Sequence, residues 1–149
     1  MISSEEIRMI RRLSEAIFPG AAEARVSDFI VRDMQSNPFW IDLYRAGLKD
    51  MNEKAIDLYG TQLVELAGEQ LNGLLAACEQ SAFFRTIREH TLEGMFSDPI
   101  YGGNYEACGW RLVGYAGPTY HPPETIGEAK PPVVYYSLEG IAYAEKNGL

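Results

Sequence analysis

The sequence predicts a mainly α fold: a bundle of about five helices followed by a Gly/aromatic-rich loop and an extended C-terminal arm. Two observations support this prediction. Apolar residues recur at steps of three or four up to about Ser97, which is the spacing of one buried helix face. Glycines and aromatic residues then alternate over 101–120, and 121–132 is rich in proline. The predicted division is 1–100 for the bundle and 101–149 for the loop and arm, within a single domain.

The first two helices have clear local signals. Ser3 followed by Glu6 is a capping-box pattern at a helix start. Pro19 and Gly20 end that helix, and a second helix is predicted over 22–35.

Three more helices follow. Asn37 and Pro38 begin the third, which ends at Gly60, and Gly47 within it is expected to permit a close helix crossing. The fourth covers 61–79, with a break near Gly68. Ser81 caps the fifth, which the sequence stops ahead of Pro99.

The remainder has no regular period. The segment 101–120 is predicted as neither a helix nor a strand, and its length indicates a functional loop. Residues 133–136 fit one short strand or an extended chain, and 137–146 fit a final short helix.

Composition excludes several classes of function. Hydrophobic residues make up 46% of the 149 residues, which predicts a folded chain. The 13 basic and 21 acidic residues give a net charge of −8, which disfavours binding to nucleic acid or to an anionic membrane. There is no apolar run of about 18 residues, so no membrane insertion is expected. The chain as it stands shows no export signal and is expected in the cytoplasm, or in the periplasm if a twin-arginine signal has been removed.

One pair of residues has the spacing of a metal site. His90 and Glu93 lie three residues apart on the fifth helix and so share a face. The alternative is local hydrogen bonding at the helix end, which we favour because metal sites need three or four ligands. Cys78 and Cys108 are too few for a disulfide framework, and no phosphate or dinucleotide loop occurs.

The aromatic residues of the loop have two interpretations. Trp110 either packs in the core or shares in a contact surface, and the sequence does not choose between these. Tyrosine and tryptophan often anchor protein interfaces. Segment 133–136 is expected to dock on a partner, since an apolar stretch after a proline-rich linker has little else to pack on.

A family resemblance follows from specific motifs. The run FFRTIREHTLEGMFSDPIYGGN at 83–104 resembles the signature of the gluconate 2-dehydrogenase subunit 3 family. The GWRLVGY stretch at 109–115, the following Gly117, LYRAGL at 43–48 and IFPG at 17–20 add to the resemblance, which covers most of 5–120.

The resemblance implies a small non-catalytic subunit with no cofactor of its own. Its relatives accompany a large FAD-containing subunit of the glucose-methanol-choline (GMC) type, which oxidises a sugar, sugar acid or glycoside. Electrons often pass onward to a cytochrome c. Such small subunits support folding and export of the large one, and many carry a twin-arginine signal that this sequence lacks.

The resemblance also implies roles for individual residues in binding the partner or ordering the loop, and none in catalysis. Gly102 and Gly103 are expected to allow positive φ or close backbone approach. Asp98 is expected to cap the turn that opens the loop. The full set of candidates is His90, Glu93, Asp98, Tyr101, Gly102, Gly103, Asn104, Gly109, Trp110, Tyr115, Tyr135 and Tyr136.

Two other functions remain open at this point. The chain fits a general helical adaptor for an unrelated protein. It also fits, less well, a metalloenzyme that uses His90 and Glu93.

Overall fold

The computed structural model describes residues 1–118, together with 135–136 and 142–143. Within these residues the chain forms six α-helices, three short 3-10 helices and one pair of antiparallel strands. The α-helices are α1 (Ser4–Ile17), α2 (Val26–Ser36), α3 (Phe39–Tyr59), α4 (Gly68–Cys78), α5 (Ala82–Phe96) and α6 (Cys108–Val113). The 3-10 helices are Leu63–Glu65, Pro99–Tyr101 and Tyr105–Ala107, and the strands are β1 (Tyr135–Tyr136) and β2 (Ala142–Tyr143). The mainly α prediction is confirmed.

Three predicted caps are present at the helix ends, whereas α3 begins at Phe39 with Pro38, and not Asn37, at the N-cap position. Ser3 Oγ accepts a hydrogen bond from the Glu6 backbone N–H at 3.1 Å, and the Glu6 carboxylate accepts one from the Ser3 N–H at 2.7 Å. Ser81 Oγ accepts from the Phe84 N–H at the start of α5. Gly60 ends α3 with a φ of +72°, which glycine adopts without strain. Short-range hydrogen bonds therefore set these boundaries.

Helix α1 lies at the centre of the bundle and contacts α2, α3, α4 and α5. Ile10 and Leu13 on its apolar face are fully buried, and the same core includes Ile30 and Ile87 from α2 and α5. Gly47 of α3 faces the ring of Phe83, and a Cβ atom at this position would overlap that ring. The absence of a side chain thus permits the close helix crossing predicted at Gly47, and the structure shows that the crossing helix is α5.

The second helix starts later than predicted. It begins at Val26, because the chain between α1 and α2 forms a turn in which Arg25 has a left-handed φ of +54°. The Glu15 carboxylate stabilises this turn by accepting hydrogen bonds from the N–H groups of Gly20 and Ala22. The boundary is therefore decided by the contact between α1 and the turn. Residues 22–25 carry no local signal that would show it.

The predicted fourth helix is divided where Gly68 indicated a break. Leu63–Glu65 forms a 3-10 turn, whose Leu63 N–H donates to the Asn52 side chain of α3 at 2.9 Å. Helix α4 then begins at Gly68.

Two predictions for the C-terminal third were wrong. The segment 101–120 is not irregular throughout, because it contains α6. The helix expected over 137–146 is also wrong at Ala142–Tyr143, which pair as a strand with Tyr135–Tyr136. The short-strand alternative for 133–136 holds at Tyr135–Tyr136. None of the helices in the described part of the chain is both long and apolar enough to cross a lipid bilayer.

Candidate functional site

Residues 98–115, which we call the Asn104 loop, follow α5 and fold back on the bundle. Asp98 is buried, and its carboxylate accepts a hydrogen bond from the Ile100 N–H at 3.0 Å, which begins the 3-10 turn. Gly102 ends this turn with a φ of +102°. Arg32 of α2 donates to the Ile100 carbonyl at 2.6 Å and attaches the turn to the bundle.

Asn104 is the centre of the loop. Its side chain is fully buried, although its backbone has a left-handed φ of +45°. The Nδ2 group donates to the Ser97 carbonyl at 2.9 Å, and Oδ1 accepts from the N–H groups of Gly109 at 2.8 Å and Trp110 at 3.3 Å. The Asn104 backbone N–H donates to the Gly94 carbonyl at 2.7 Å. One side chain therefore joins the end of α5 to the start of α6.

Two glycines allow the loop to lie directly on the α5 backbone. A Cβ atom on Gly103 would overlap the carbonyl oxygen of Gly94, and one on Gly109 would overlap the carbonyl oxygen of Met95. Both neighbours are backbone atoms of a helix, which cannot move aside as the end of a flexible side chain can. Glycine is required at both positions for steric reasons.

Trp110 is a core residue of the loop. It is 4% exposed, and its indole N–H donates to the Phe96 carbonyl at 2.7 Å. Tyr115 packs edge-to-face on the indole, with ring centroids 5.1 Å apart, and its N–H donates to the Trp110 carbonyl. Trp110 therefore orders the loop, while Tyr115 remains 48% exposed.

The outer side of α6 is apolar and open to solvent. Leu112 is 65% exposed and Val113 is 61% exposed, and together with Tyr115 they form what we call the α6 patch. Tyr101 and Tyr105 of the same loop are also exposed. Sequence reasoning missed Leu112 and Val113, because their orientation depends on a helix that the residue pattern did not indicate.

The loop and the turn before α2 hold each other in strained conformations. The Arg25 guanidinium lies 3.6 Å from the centroid of the Tyr105 ring, and the Tyr105 N–H donates to the Ala24 carbonyl. Arg25 itself, and Glu106 and Ala107 in the loop, all have left-handed φ values between 51° and 56°. Such residues cost about 1–3 kcal/mol each and persist only where surrounding contacts enforce them.

His90 belongs to a buried network in the bundle. Its Nδ1 atom shares a 2.8 Å hydrogen bond with the Tyr44 hydroxyl, and its Nε2 atom lies 3.7 Å from an oxygen of Asp33. The Trp40 ring packs edge-to-face on the imidazole. Burial raises the pKa of Tyr44 well above its usual range, and the charges of Asp33 and Glu93 raise it further, so the hydroxyl stays protonated.

Glu93, which the sequence paired with His90 as a possible metal ligand, differs from it in burial. Glu93 is exposed, whereas His90 is 5% exposed. Among residues 1–118, no group of three or more His, Cys, Asp or Glu side chains is arranged to hold a metal ion.

Both cysteines are free thiols. Burial raises the pKa of Cys78 and of Cys108 above the ordinary value near 9.0, and the charge of Glu23 raises that of Cys108 further. A raised pKa leaves less thiolate, which is the reactive form.

We therefore expect slow alkylation of both thiols by iodoacetamide at about pH 8 in the native chain. The measurement is the rate of mass increase at each cysteine, with the urea-unfolded chain as the control. The alkylation rate should be lower in the native chain than in the unfolded chain. The midpoint of its rise with pH should also lie at a higher pH in the native chain, because the thiol pKa is raised there. Equal rates in the two states would show that burial does not protect the thiols.

The structure brings most of the candidate residues into one unit. The eight candidates from Asp98 to Tyr115 lie in the Asn104 loop, whereas His90 and Glu93 lie on α5 and His90 contacts α2 and α3. Tyr135 and Tyr136 lie in β1, and their side chains are outside the described residues.

Comparison with known proteins identifies the family of the chain. The family model for gluconate 2-dehydrogenase subunit 3 matches residues 4–117, a range that begins at α1 and ends just after the Asn104 loop. Searches among curated proteins and among solved structures gave no match. Because the matched range is well over half of the chain, this protein belongs to the gluconate 2-dehydrogenase subunit 3 family.

Proposed function

We propose that this chain is a non-catalytic accessory subunit that binds and stabilises a large FAD-dependent dehydrogenase subunit of the GMC type. The substrate of that complex is a sugar, sugar acid or glycoside, the FAD is held by the large subunit, and a cytochrome c accepts the electrons. Family membership supports a role within a dehydrogenase complex. The observation that carries the proposal further is the α6 patch.

The α6 patch has the properties of a binding surface. Three large apolar side chains are exposed within four residues, on a loop whose own interior is buried and hydrogen-bonded. A loop ordered in advance loses little conformational entropy on binding, so more of the contact energy contributes to affinity. Exposed apolar patches mark sites of protein interaction, and tyrosine, the residue type of Tyr115, is enriched among the residues that dominate binding energy.

Co-expression tests the role. The tagged chain is produced together with a large FAD-containing GMC-type subunit from the same organism and is then purified through the tag. A yellow complex that oxidises sugars with an artificial electron acceptor is expected. Full yield and activity of the large subunit without this chain would contradict the proposal. A colourless chain that purifies alone would instead favour the adaptor hypothesis.

The Leu112→Asp/Val113→Asp double variant tests the surface. Co-purification of the large subunit should fall by about tenfold or more, because two charged groups would have to be desolvated at the interface. The melting temperature should stay close to that of the wild type, since both side chains are exposed in the free chain.

Leu58→Asp is the matched control, because Leu58 is a leucine on α3 that is 50% exposed. This variant should co-purify as the wild type does. If the double variant also retains full co-purification, the α6 patch is not the binding surface.

A further inference from the structure

An open groove of about 470 Å³ lies between α1, the turn that follows it, and α4. Its apolar surface comes from small and medium side chains, namely Ala16, Ala22, Val64 and Leu71. Three arginines of α1 stand around it: Arg8, Arg11 and Arg12. We call this feature the arginine groove.

The charges of the arginine groove are unevenly neutralised. Arg12 donates to the Leu66 carbonyl, and Arg8 lies 3.9 Å from Glu65 with both side chains about two-thirds exposed. Arg11 forms no ion pair or hydrogen bond with residues 1–118. Glu15 is the acidic residue in the lining, and its two oxygens accept the N–H groups of the following turn.

The surface at the arginine groove is positively charged, although the molecule as a whole is negatively charged. The whole chain carries a net charge of −8, yet three positive side chains border an apolar groove with one carboxylate among its lining residues. Such a surface favours a ligand that combines apolar groups with negative charge.

A second cavity, of about 330 Å³, adjoins the groove, since Arg11 and Ala22 line both. The second cavity is further lined by Arg25, Tyr105 and Arg111, and by the acidic residues Glu23, Asp28 and Glu106. Arg111 directly precedes Leu112 of the α6 patch. The second cavity therefore includes both residues that line the arginine groove and a residue next to the α6 patch in the sequence.

We propose that the arginine groove receives an extended acidic segment of the dehydrogenase partner, in which an apolar side chain is flanked by Asp or Glu residues. The apolar side chain lies on Val64 and Leu71, and the flanking carboxylates pair with Arg8 and Arg11. The inference rests on the proposed function, since it specifies a second contact of the same complex. It explains why an acidic chain keeps three neighbouring arginines beside an apolar surface.

Charge reversal tests the electrostatic part of this contact. The dissociation constant of the purified complex is measured for the wild type, for Arg8→Glu/Arg11→Glu, and for Arg85→Glu/Arg88→Glu on α5 as a control of equal charge change. All four arginines are exposed. The groove variant should weaken binding by about tenfold or more and reduce its dependence on salt, whereas the control should change it by less than about threefold.

A second variant tests the apolar part without changing charge. Gly68 lines the groove, and a Cβ atom at this position meets nothing within 4 Å. Gly68→Leu should therefore fold normally, place a side chain in the groove, and weaken binding by about tenfold. Its melting temperature shows whether the fold is retained.

The outcomes separate the two proposals. Failure of the wild-type chain to bind the flavoprotein contradicts the proposed function. Wild-type binding that is equally strong in the groove variants, or equally weakened in the α5 control, overturns the assignment of the arginine groove. Weakening by both groove variants, with an unaffected control, supports it.

Discussion

Alanine at Gly109 is expected to lower the free energy of unfolding by about 3 kcal/mol or more. The added Cβ would overlap the Met95 carbonyl oxygen, and it would also lie 3.0 Å from Oδ1 of Asn104. Relief requires the Asn104 loop to move away from α5. That movement would break the hydrogen bonds that Asn104 accepts and would uncover Trp110, so the α6 patch would lose its support.

Urea denaturation followed by circular dichroism measures this effect. Gly68→Ala is the matched control, because a Cβ at Gly68 meets no neighbour. The control should be as stable as the wild type or more stable by up to about 1 kcal/mol. Gly109→Ala with a stability within about 0.5 kcal/mol of the wild type would show that the loop does not need this close approach.

Asn104→Ala is expected to lower the free energy of unfolding by about 3 kcal/mol. The substitution leaves the Ser97 carbonyl and the Gly109 and Trp110 N–H groups without the partners that the amide supplies. It also places alanine at a left-handed φ of +45°. The loss of buried hydrogen bonds is the larger part of the cost, and the backbone strain adds about 1 kcal/mol.

Two further variants separate these contributions. Asn104→Gly removes the same hydrogen bonds without the backbone strain, and should be about 1 kcal/mol more stable than Asn104→Ala. Asn104→Asp keeps an acceptor for the N–H groups of α6 but loses the donor to the Ser97 carbonyl. Its free energy of unfolding should lie between those of the wild type and Asn104→Ala. If Asn104→Ala and the wild type are equally stable in urea denaturation, the hydrogen bonds of Asn104 do not stabilise the loop.

The sequence by itself determined the helices of the bundle. Ser3 with Glu6, Ser81 and Gly60 each act on backbone groups within four residues, so their effects follow from local spacing. The apolar stripes of the helices follow from the same periodicity. The motif at 83–104 was also sufficient to indicate the family, because it is a contiguous run of residues.

Only the tertiary structure decided the form of the loop and of the proposed binding surfaces. Helix α6 has six residues, too few for a visible period or for stability on its own, and it forms because Asn104 and the α5 backbone hold its first turn. The role of Trp110 was open in the sequence, since only the Phe96 carbonyl, 14 residues away, shows what its N–H contacts. The arginine groove combines residues 8–22 with 64–72, so its charge and apolar surface meet only in the folded chain. Contacts between residues far apart in the chain, which no local pattern records, determine where a partner can bind.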